Sequence, residues 1–227
     1  MPVLLSAAFC APVEYYAAIA ADLTLAEGRG NSVFRSVAPA RVWIEAAENY
    51  QKQSWRNRCT ICTANGPENI SVPIVHRNGS HNNIPITEVE VDYGSGWVQK
   101  AERAIVSAYS MSPFFEYYRD SFFDILASRP DTLFELDMKF LEYFLRQFGI
   151  PASIHLTRAY GEVPEAVADL REVIHPKRPN TILQDLGLKK PYYQVFSCKH
   201  GFIEGMSAMD LLFNEGPESL VHLCSLS

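Results

Sequence analysis

The sequence predicts an α/β fold in which an N-terminal sheet carrying a hairpin is followed by a largely helical half. Short apolar runs of strand length occupy residues 3–9 and 42–47, which favours buried strands. Asn65-Gly66 between two apolar stretches is a strong hairpin signal. From Trp97 onward the apolar residues recur every three or four positions, as on amphipathic helices. These three observations define the fold class.

The first elements follow in order along the chain. The run at 3–9 predicts a first buried strand, and Pro12 suits the first turn of a helix that we expect over 13–21. Residues 42–47 predict the second strand, and the alternation over 84–91 predicts a third local strand. The predicted hairpin arms are residues 59–63 and 70–75.

The remaining elements are mostly helical. Helices are predicted from residue 97, from Ser112-Pro113 and over 131–148, where Gly149 and Pro151 end the pattern. Further predictions are a strand at 153–156, a helix at 164–173, a strand at 192–196 and a helix at 206–213. Without an internal repeat or a clear linker, we expect one domain over 1–227, with its α/β part roughly at 1–96 and its mainly helical part roughly at 97–227.

Composition excludes several classes of protein. With 227 residues, 48% of them hydrophobic, and a net charge of −6, the chain can bury a core but offers no basic stripe for nucleic acid. No apolar run approaches the roughly 18 residues of a membrane span, and residues 1–21 lack the basic start of a signal peptide. Five cysteines fit reduced thiols. We therefore expect a cytoplasmic protein with neither nucleic acid nor membrane as partner.

A metal site is not expected. Cys59 and Cys62 have CxxC spacing, but within a strand, positions three apart point to opposite faces. No second CxxC and no closely spaced histidine pair completes a ligand set. We interpret both cysteines as structural.

Residues 50–58, Tyr-Gln-Lys-Gln-Ser-Trp-Arg-Asn-Arg, are the most informative stretch. They combine three cations, two aromatic rings and four amide or hydroxyl side chains with no acid. Guanidinium groups beside aromatic planes suit a phosphate or a carboxylate, and a polar loop that leaves a strand is where open α/β sheets bind ligands. The alternative is a structural corner in which Glu45 and Glu48 neutralise these cations.

Three further clusters carry polar side chains at regular spacing. Trp97, Lys100 and Arg103 share one helix face, which either binds an anion or is a solvated surface. A proline-stiffened loop holds Lys177 and Arg178 and either closes over a phosphate or is simply exposed. The third cluster is Asp210, Asn214 and Glu215. A buried Asp210 would need a cationic partner, and the loop at 50–58 could supply one.

Familiar nucleotide and hydrolase signatures do not occur. The sequence contains neither GxGxxG nor GxxxxGK[ST], so it predicts no dinucleotide fingerprint and no P-loop. A GxSxG nucleophile elbow is missing as well. The cofactor therefore remains unknown, with a nucleotide or nucleotide-activated donor as the option left open.

Several stretches together resemble the WbqC-like protein family. They are residues 50–58, 64–66, 72–73, 107–109, 112–118 and 210–216, with Pro12 and Tyr15 one turn apart. The resemblance implies a bacterial protein of surface-polysaccharide (O-antigen) synthesis, with transfer of an amino acid such as glycine to a sugar as its implied reaction. Where relatives often carry a histidine after the helix-opening tryptophan, this chain has Ala101, so a general base is missing there.

A second analogy concerns the fold. A strand, a proline-bearing loop that opens a helix, and a strand ending in a polar loop resemble Rossmann-like, nucleotidylyltransferase-like domains. Their HxGH motif is replaced here by Pro12-Val-Glu-Tyr15. Such an analogy does not define function.

Our hypothesis is a cytosolic transferase that binds a nucleotide-sugar or an activated amino acid. The substrate-binding candidates are Pro12, Tyr15, Gln51, Lys52, Trp55, Arg56, Asn57, Arg58, Arg103 and Lys177. The catalytic candidates are Lys100, Asp210 and Glu215. The alternatives are a scaffold of a polysaccharide assembly complex, with an exposed aromatic patch at 114–118, and a magnesium-dependent nucleotidyl-transferring enzyme.

Overall fold

A computed structural model describes residues 1–27, 34–75, 83–161, 163, 166–188 and 190–224. The strands are β1 (Val3–Ser6), β2 (Thr24–Glu27), β3 (Phe34–Ala38), β4 (Ala40–Glu45), β5 (Arg58–Thr63), β6 (Gly66–Ser71), β7 (Ala152–Leu156) and β8 (Ala168–Asp169). The helices are α1 (Val13–Ala20), α2 (Trp97–Tyr109), α3 (Phe115–Ala127), α4 (Leu133–Gln147), α5 (Ile182–Asp185), α6 (Ser197–His200), α7 (Ala208–Glu215) and α8 (Ser219–Leu223). Within these ranges no helix is long and apolar enough to cross a bilayer.

The centre of the molecule is a four-stranded parallel sheet in the order β7-β4-β1-β8. Leu5 aligns with Ile44, and Ile44 aligns with Leu156. β1 is almost entirely buried, whereas on β4 the face of Val42 and Ile44 is buried and Arg41 of the other face is exposed. The predicted strands at 3–9, 42–47 and 153–156 are confirmed, with β4 beginning two residues earlier than expected.

We expected an α/β part roughly at 1–96 and a mainly helical part beyond it, and the parallel sheet extends across this boundary. β7 and β8 come from beyond residue 97 and supply both edge strands of the parallel sheet. The sequence predicted β7 but not β8, because β8 pairs through only two residues, which is too short for a periodic signal. The α/β class therefore stands, while the sheet draws on both halves of the chain.

A hairpin is confirmed as the separate antiparallel pair β5–β6, with its first arm as predicted and its second arm at 66–71 instead of 70–75. Thr63 pairs with Gly66, so the two turn residues are Ala64 and Asn65. Gly66 has a φ of 103°, in the region that glycine enters without steric cost. Arg58 is both the last residue of the stretch 50–58, which we call the polar loop, and the first residue of β5, so the hairpin fixes one end of that loop.

Helices α2, α3, α4 and α7 pack into one aromatic core. α4 begins with a capping box between Thr132 and Glu135. Phe122 packs against Phe140 and Phe213, with ring centroids 5.0 and 5.6 Å apart. The predicted helices at 97, 131–148 and 206–213 are confirmed, and the predicted second helix begins at Phe115 instead of Ser112.

Three predicted elements are wrong. Residues 84–91 contain a short 3-10 helix (Ile86–Glu88) instead of a strand, and residues 192–196 form no strand. The described part of the predicted helix at 164–173 contains β8. In each stretch the local apolar pattern was too short to distinguish a strand, a helix and a packed loop.

The topology marks one edge of the sheet as the place for a ligand. The chain leaves β1 towards β4 and then β7, whereas β8 returns to the other side of β1. β1 and β8 therefore flank the point where the strand order reverses. Crevices outside the carboxyl ends of the strands at such a point are the usual ligand sites of open α/β sheets.

Candidate functional site

A buried ion pair joins the polar loop to the carboxyl end of β1. Arg56 is 6% exposed and donates from Nε to Glu48 Oε1 at 2.9 Å, with Nη2 on Glu48 Oε2 as well. Nη2 also reaches Ser6 Oγ at 3.0 Å, and Ser6 Oγ donates to Glu48 Oε2 at 3.0 Å. Nη1 donates to Gln51 Oε1 at 3.2 Å. All three guanidinium nitrogens of Arg56 thus bind groups of the protein itself.

The polar loop is held rigidly. Ser54 caps a short 3-10 helix, Trp55–Asn57, by accepting from the Arg56 amide. The Phe9 amide donates to the Trp55 carbonyl at 2.9 Å, and Asn57 Nδ2 donates to the Val72 carbonyl at 3.0 Å. These bonds connect the loop to β1 and to the hairpin, which fixes the positions of its side chains.

A second buried network crosses the same sheet edge. Arg171 Nη1 contacts Glu45 Oε2 at 2.5 Å, and its other nitrogens bind Asp169 at 2.6 and 2.9 Å. Glu45 is fully buried and also accepts from the Thr157 hydroxyl and, at 3.0 Å, from the Ala47 amide. The Arg171 bonds lower the pKa of Asp169. The ends of β4, β7 and β8 are thereby tied together.

Asp137 on α4 is an acid that the sequence analysis did not single out. It is 1% exposed, and neither carboxylate oxygen has a hydrogen-bond partner among the described residues. Burial, aided by the charge of Glu48 and opposed by that of Arg56, holds its pKa well above the usual range. The sequence could have pointed to Asp137 because it is an acid among Leu133, Phe140 and the other apolar residues of this helix face.

We expect Asp137→Asn to flatten the pH dependence of stability. Because the pKa of Asp137 is raised in the folded state, its contribution is present below about pH 4 and is lost as the pH rises towards the folded pKa. The slope reaches at most about 1.4 kcal/mol per pH unit for one proton. Urea unfolding at pH 5, 6, 7 and 8 should show the variant gaining on the wild type as pH rises; parallel profiles would refute the assignment.

A cavity of about 640 Å³ opens beside the Glu48–Arg56 pair. We call it the loop cavity; its lining residues are Ala47, Glu48, Asn49, Tyr50, Gln51, Lys52, Arg56, Tyr160 and Glu172. Its volume lies within the roughly 300–1,000 Å³ usual for small-molecule sites. Glu48 is neutralised by Arg56, and Glu172 pairs with Arg178 at 2.9 Å. Lys52 is exposed and has no partner among the described residues.

A second cavity of about 440 Å³ lies at the Trp55 side of the loop. We call it the basic-loop cavity; Trp55, His175, Lys177 and Arg178 line it together with Glu14. Trp55 and His175 also line a narrow crevice of about 10 Å³ at the ends of β1 and β8, which Arg56 shares with the loop cavity. The two larger cavities therefore adjoin the predicted ligand edge.

His175 can contribute a hydrogen-bond donor there. Burial, together with the charge of Arg178, lowers the pKa of its imidazole, so the ring is neutral at pH 7. Its Nδ1 accepts from the Lys177 amide at 3.2 Å, which places the ring proton on Nε2.

The structure brings most of the substrate-binding candidates to this edge. Gln51, Lys52 and Arg56 line the loop cavity, Trp55 and Lys177 line the basic-loop cavity, and Tyr15 donates from its hydroxyl to the Ser6 carbonyl at 2.9 Å. Arg58 and Asn57 stand half-buried at the start of the hairpin, and Pro12 is buried before α1. Arg56 pairs with the internal acid Glu48, as in the structural alternative considered for this loop.

The catalytic candidates are dispersed. Lys100 and Arg103 are exposed on α2 and line neither of the two cavities. Glu215 accepts from the Tyr193 amide at 2.7 Å. Asp210 is buried and accepts from Tyr192 Oη at 2.7 Å and Gln194 Nε2 at 2.8 Å. The polar loop thus does not supply Asp210 with the expected cationic partner: the two donors that reach Oδ2 are neutral, and Oδ1 has no hydrogen-bond partner among the described residues.

Comparison with protein families gave one match. The sequence profile of the WbqC-like protein family matches residues 38–178, which include the polar loop, both ion-pair networks and the loop at 175–178. Searches of curated proteins and of solved structures gave no significant match. The matched region thus contains the loop cavity and the cationic part of the basic-loop cavity.

Proposed function

This chain belongs to the WbqC-like protein family, and from that premise we propose that it is a transferase of bacterial surface-glycan synthesis that takes an anionic donor. The donor would be a nucleotide-sugar or an activated amino acid, with glycine as one such amino acid. Its site would be the loop cavity, at the carboxyl edge of the parallel sheet, where folds of this architecture bind ligands.

The observation that carries the proposal is the uncompensated ammonium of Lys52. Both acids of the loop cavity are paired with arginines, so Lys52 gives the cavity a net positive charge. Gln51 accepts from Arg56 through Oε1, which leaves its amide nitrogen to donate. Tyr160, 69% exposed, offers a ring face for a base or a sugar. These groups match a phosphate or carboxylate joined to a ring.

The two cavities would hold the two substrates of a transfer, the donor in the loop cavity and the acceptor in the basic-loop cavity. As the bond to the donor's leaving group breaks, that group keeps the bonding electrons, and Lys52 would stabilise the negative charge that develops on it. The acceptor would lie in the basic-loop cavity, on the other side of the crevice that Arg56 and Trp55 line. Arg56 would act by positioning the loop, because its guanidinium already binds Glu48.

We expect Lys52→Ala to weaken donor binding by at least about tenfold, as loss of one charge-assisted contact of about 1.5–3 kcal/mol would do. The measurement is isothermal titration of the intact chain with nucleotides, nucleotide-sugars and aminoacyl-adenylate analogues, with and without magnesium. Lys139→Ala, on the exposed face of α4, is the matched control and should leave the affinity unchanged. Equal affinities of the two variants would remove Lys52 from the site.

The aromatic stretch at 114–118 gives little support to the scaffold alternative, which predicts an exposed aromatic patch there. Phe115 and Tyr118 lie in the core, whereas Tyr117 is 78% exposed, as is Met111 earlier in the chain. Two such side chains do not make the extended apolar surface that a stable partner needs. The nucleotidyl-transfer alternative is tested by the magnesium arm of the titration.

A further inference from the structure

The basic-loop cavity has a bipolar lining. Glu14 and Glu204 are close enough for their charges to interact, whereas Lys177 and Arg178 follow His175 in the neighbouring loop. Trp55 contributes a half-buried indole to the same cavity. A ligand that fills it therefore meets acids, cations and an aromatic ring.

Glu14 is an incompletely satisfied acid in the first turn of α1. It is 7% exposed, its Oε1 accepts a long bond of 3.4 Å from Asn180 Nδ2, and its Oε2 has no hydrogen-bond partner among the described residues. A buried carboxylate without partners is costly. An ammonium group of a ligand would supply the missing donors and the opposite charge.

The cations of this cavity are only partly compensated within the protein. Lys177 Nζ bonds the neutral amide oxygen of Gln53, and Arg178 pairs with Glu172, an exposed acid at 2.9 Å. Arg178 meets Glu172 through Nη1, so its Nη2 and Nε, like the other N–H groups of Lys177 Nζ, can donate to an incoming anion while the pair with Glu172 stays intact. A phosphate accepts from both types of side chain.

We propose that the basic-loop cavity binds an amino-sugar phosphate, with its ammonium on Glu14, its phosphate on Lys177 and Arg178, and its pyranose ring against Trp55. A volume of about 440 Å³ lies within the usual range for ligands of this size. The role of this ligand as the second substrate rests on the transferase proposed above, whereas its binding does not.

The test is isothermal titration of the intact chain with glucosamine 6-phosphate and glucosamine 1-phosphate, each paired with the glucose phosphate that lacks the amine. We expect each glucosamine phosphate to bind at least about tenfold more tightly than its glucose partner, the effect of one charge-assisted contact. Glu14→Gln should reduce this ratio to near one and leave the affinity for glucose 6-phosphate unchanged. Lys177→Gln should weaken both sugar phosphates by the same factor, and Lys139→Gln should change neither.

Equal binding of the amino and hydroxyl sugars by the wild-type chain, or no binding of either, would overturn the proposal without any variant. A ratio that survives in a folded Glu14→Gln protein would also overturn it. Failure here is distinguishable from failure of the transferase proposal, because the latter predicts Lys52-dependent binding of nucleotide-type donors in the other cavity.

Discussion

Arg56→Ala is expected to destabilise the protein by about 3–5 kcal/mol, the usual cost of leaving one partner of a buried ion pair uncompensated. Glu48 is 2% exposed and takes bonds from two guanidinium nitrogens. Burial already raises the pKa of Glu48 in spite of Arg56. Without Arg56 the carboxyl should bind a proton more readily, so the loss of stability should be smaller at pH 5 than at pH 8.

Urea unfolding of the wild type, of Arg56→Ala and of a Glu48→Leu/Arg56→Met double variant measures this effect. Replacing both charges with apolar side chains of similar volume should recover most of the stability, because no buried charge is left alone. A decrease in unfolding free energy below about 1 kcal/mol in Arg56→Ala is typical of an exposed pair. Such a result would show that the Glu48–Arg56 pair does not hold the loop in place.

Arg171→Ala should have a comparable effect for a related reason. Arg171 compensates Glu45, which is fully buried, and also holds Asp169 at the end of β8. We expect a loss of about 3–5 kcal/mol in unfolding free energy, and a fall in Tm of roughly 2–4 °C for each kcal/mol in a chain of this size. β8 pairs through only two residues, so its attachment to β1 depends strongly on this arginine.

Arg41→Ala is the matched control for Arg171→Ala. Its guanidinium is 60% exposed and binds Asp22, which also binds the chain's amino terminus at 2.7 Å. Loss of this pair should cost about 1 kcal/mol, because Asp22, whose side chain is 4% exposed, keeps its ion pair with the amino terminus. Thermal unfolding of both variants measures the difference, and equal falls in Tm would contradict the special role of Arg171.

The sequence predicted where the polar sheet edge lies better than it predicted which side chains bind one another there. The strand β4 and the donor-rich loop at 50–58 were visible because an apolar run ends where nine polar or aromatic residues begin. Whether the loop arginines bind a ligand or an internal acid depends on three-dimensional distances. In the structure Arg56 binds an internal acid, Glu48. Lys52 is therefore the cation of the loop cavity that can bind a ligand.

Other site features could be inferred only after folding. Glu14 and Asp137 stand out in a sequence as acids among apolar helical residues, but such acids occur on many helix surfaces. Asp210 showed the same ambiguity, and its partners Tyr192 and Gln194 lie 18 and 16 positions away. β8 escaped prediction because Ala168 and Asp169 carry no periodicity. Long-range contacts, which local patterns do not encode, determine all of these.

We propose above that an anionic small molecule binds at the carboxyl edge of the sheet, between the polar loop and the loop at 175–178. Hydrogen exchange of the intact chain, measured alone and with each nucleotide-sugar and aminoacyl-adenylate analogue, tests it directly. We expect at least one of these ligands to protect amides in 47–58 and 170–178. A folded protein in which no ligand protects these segments, or in which protection is confined to α3, would contradict it.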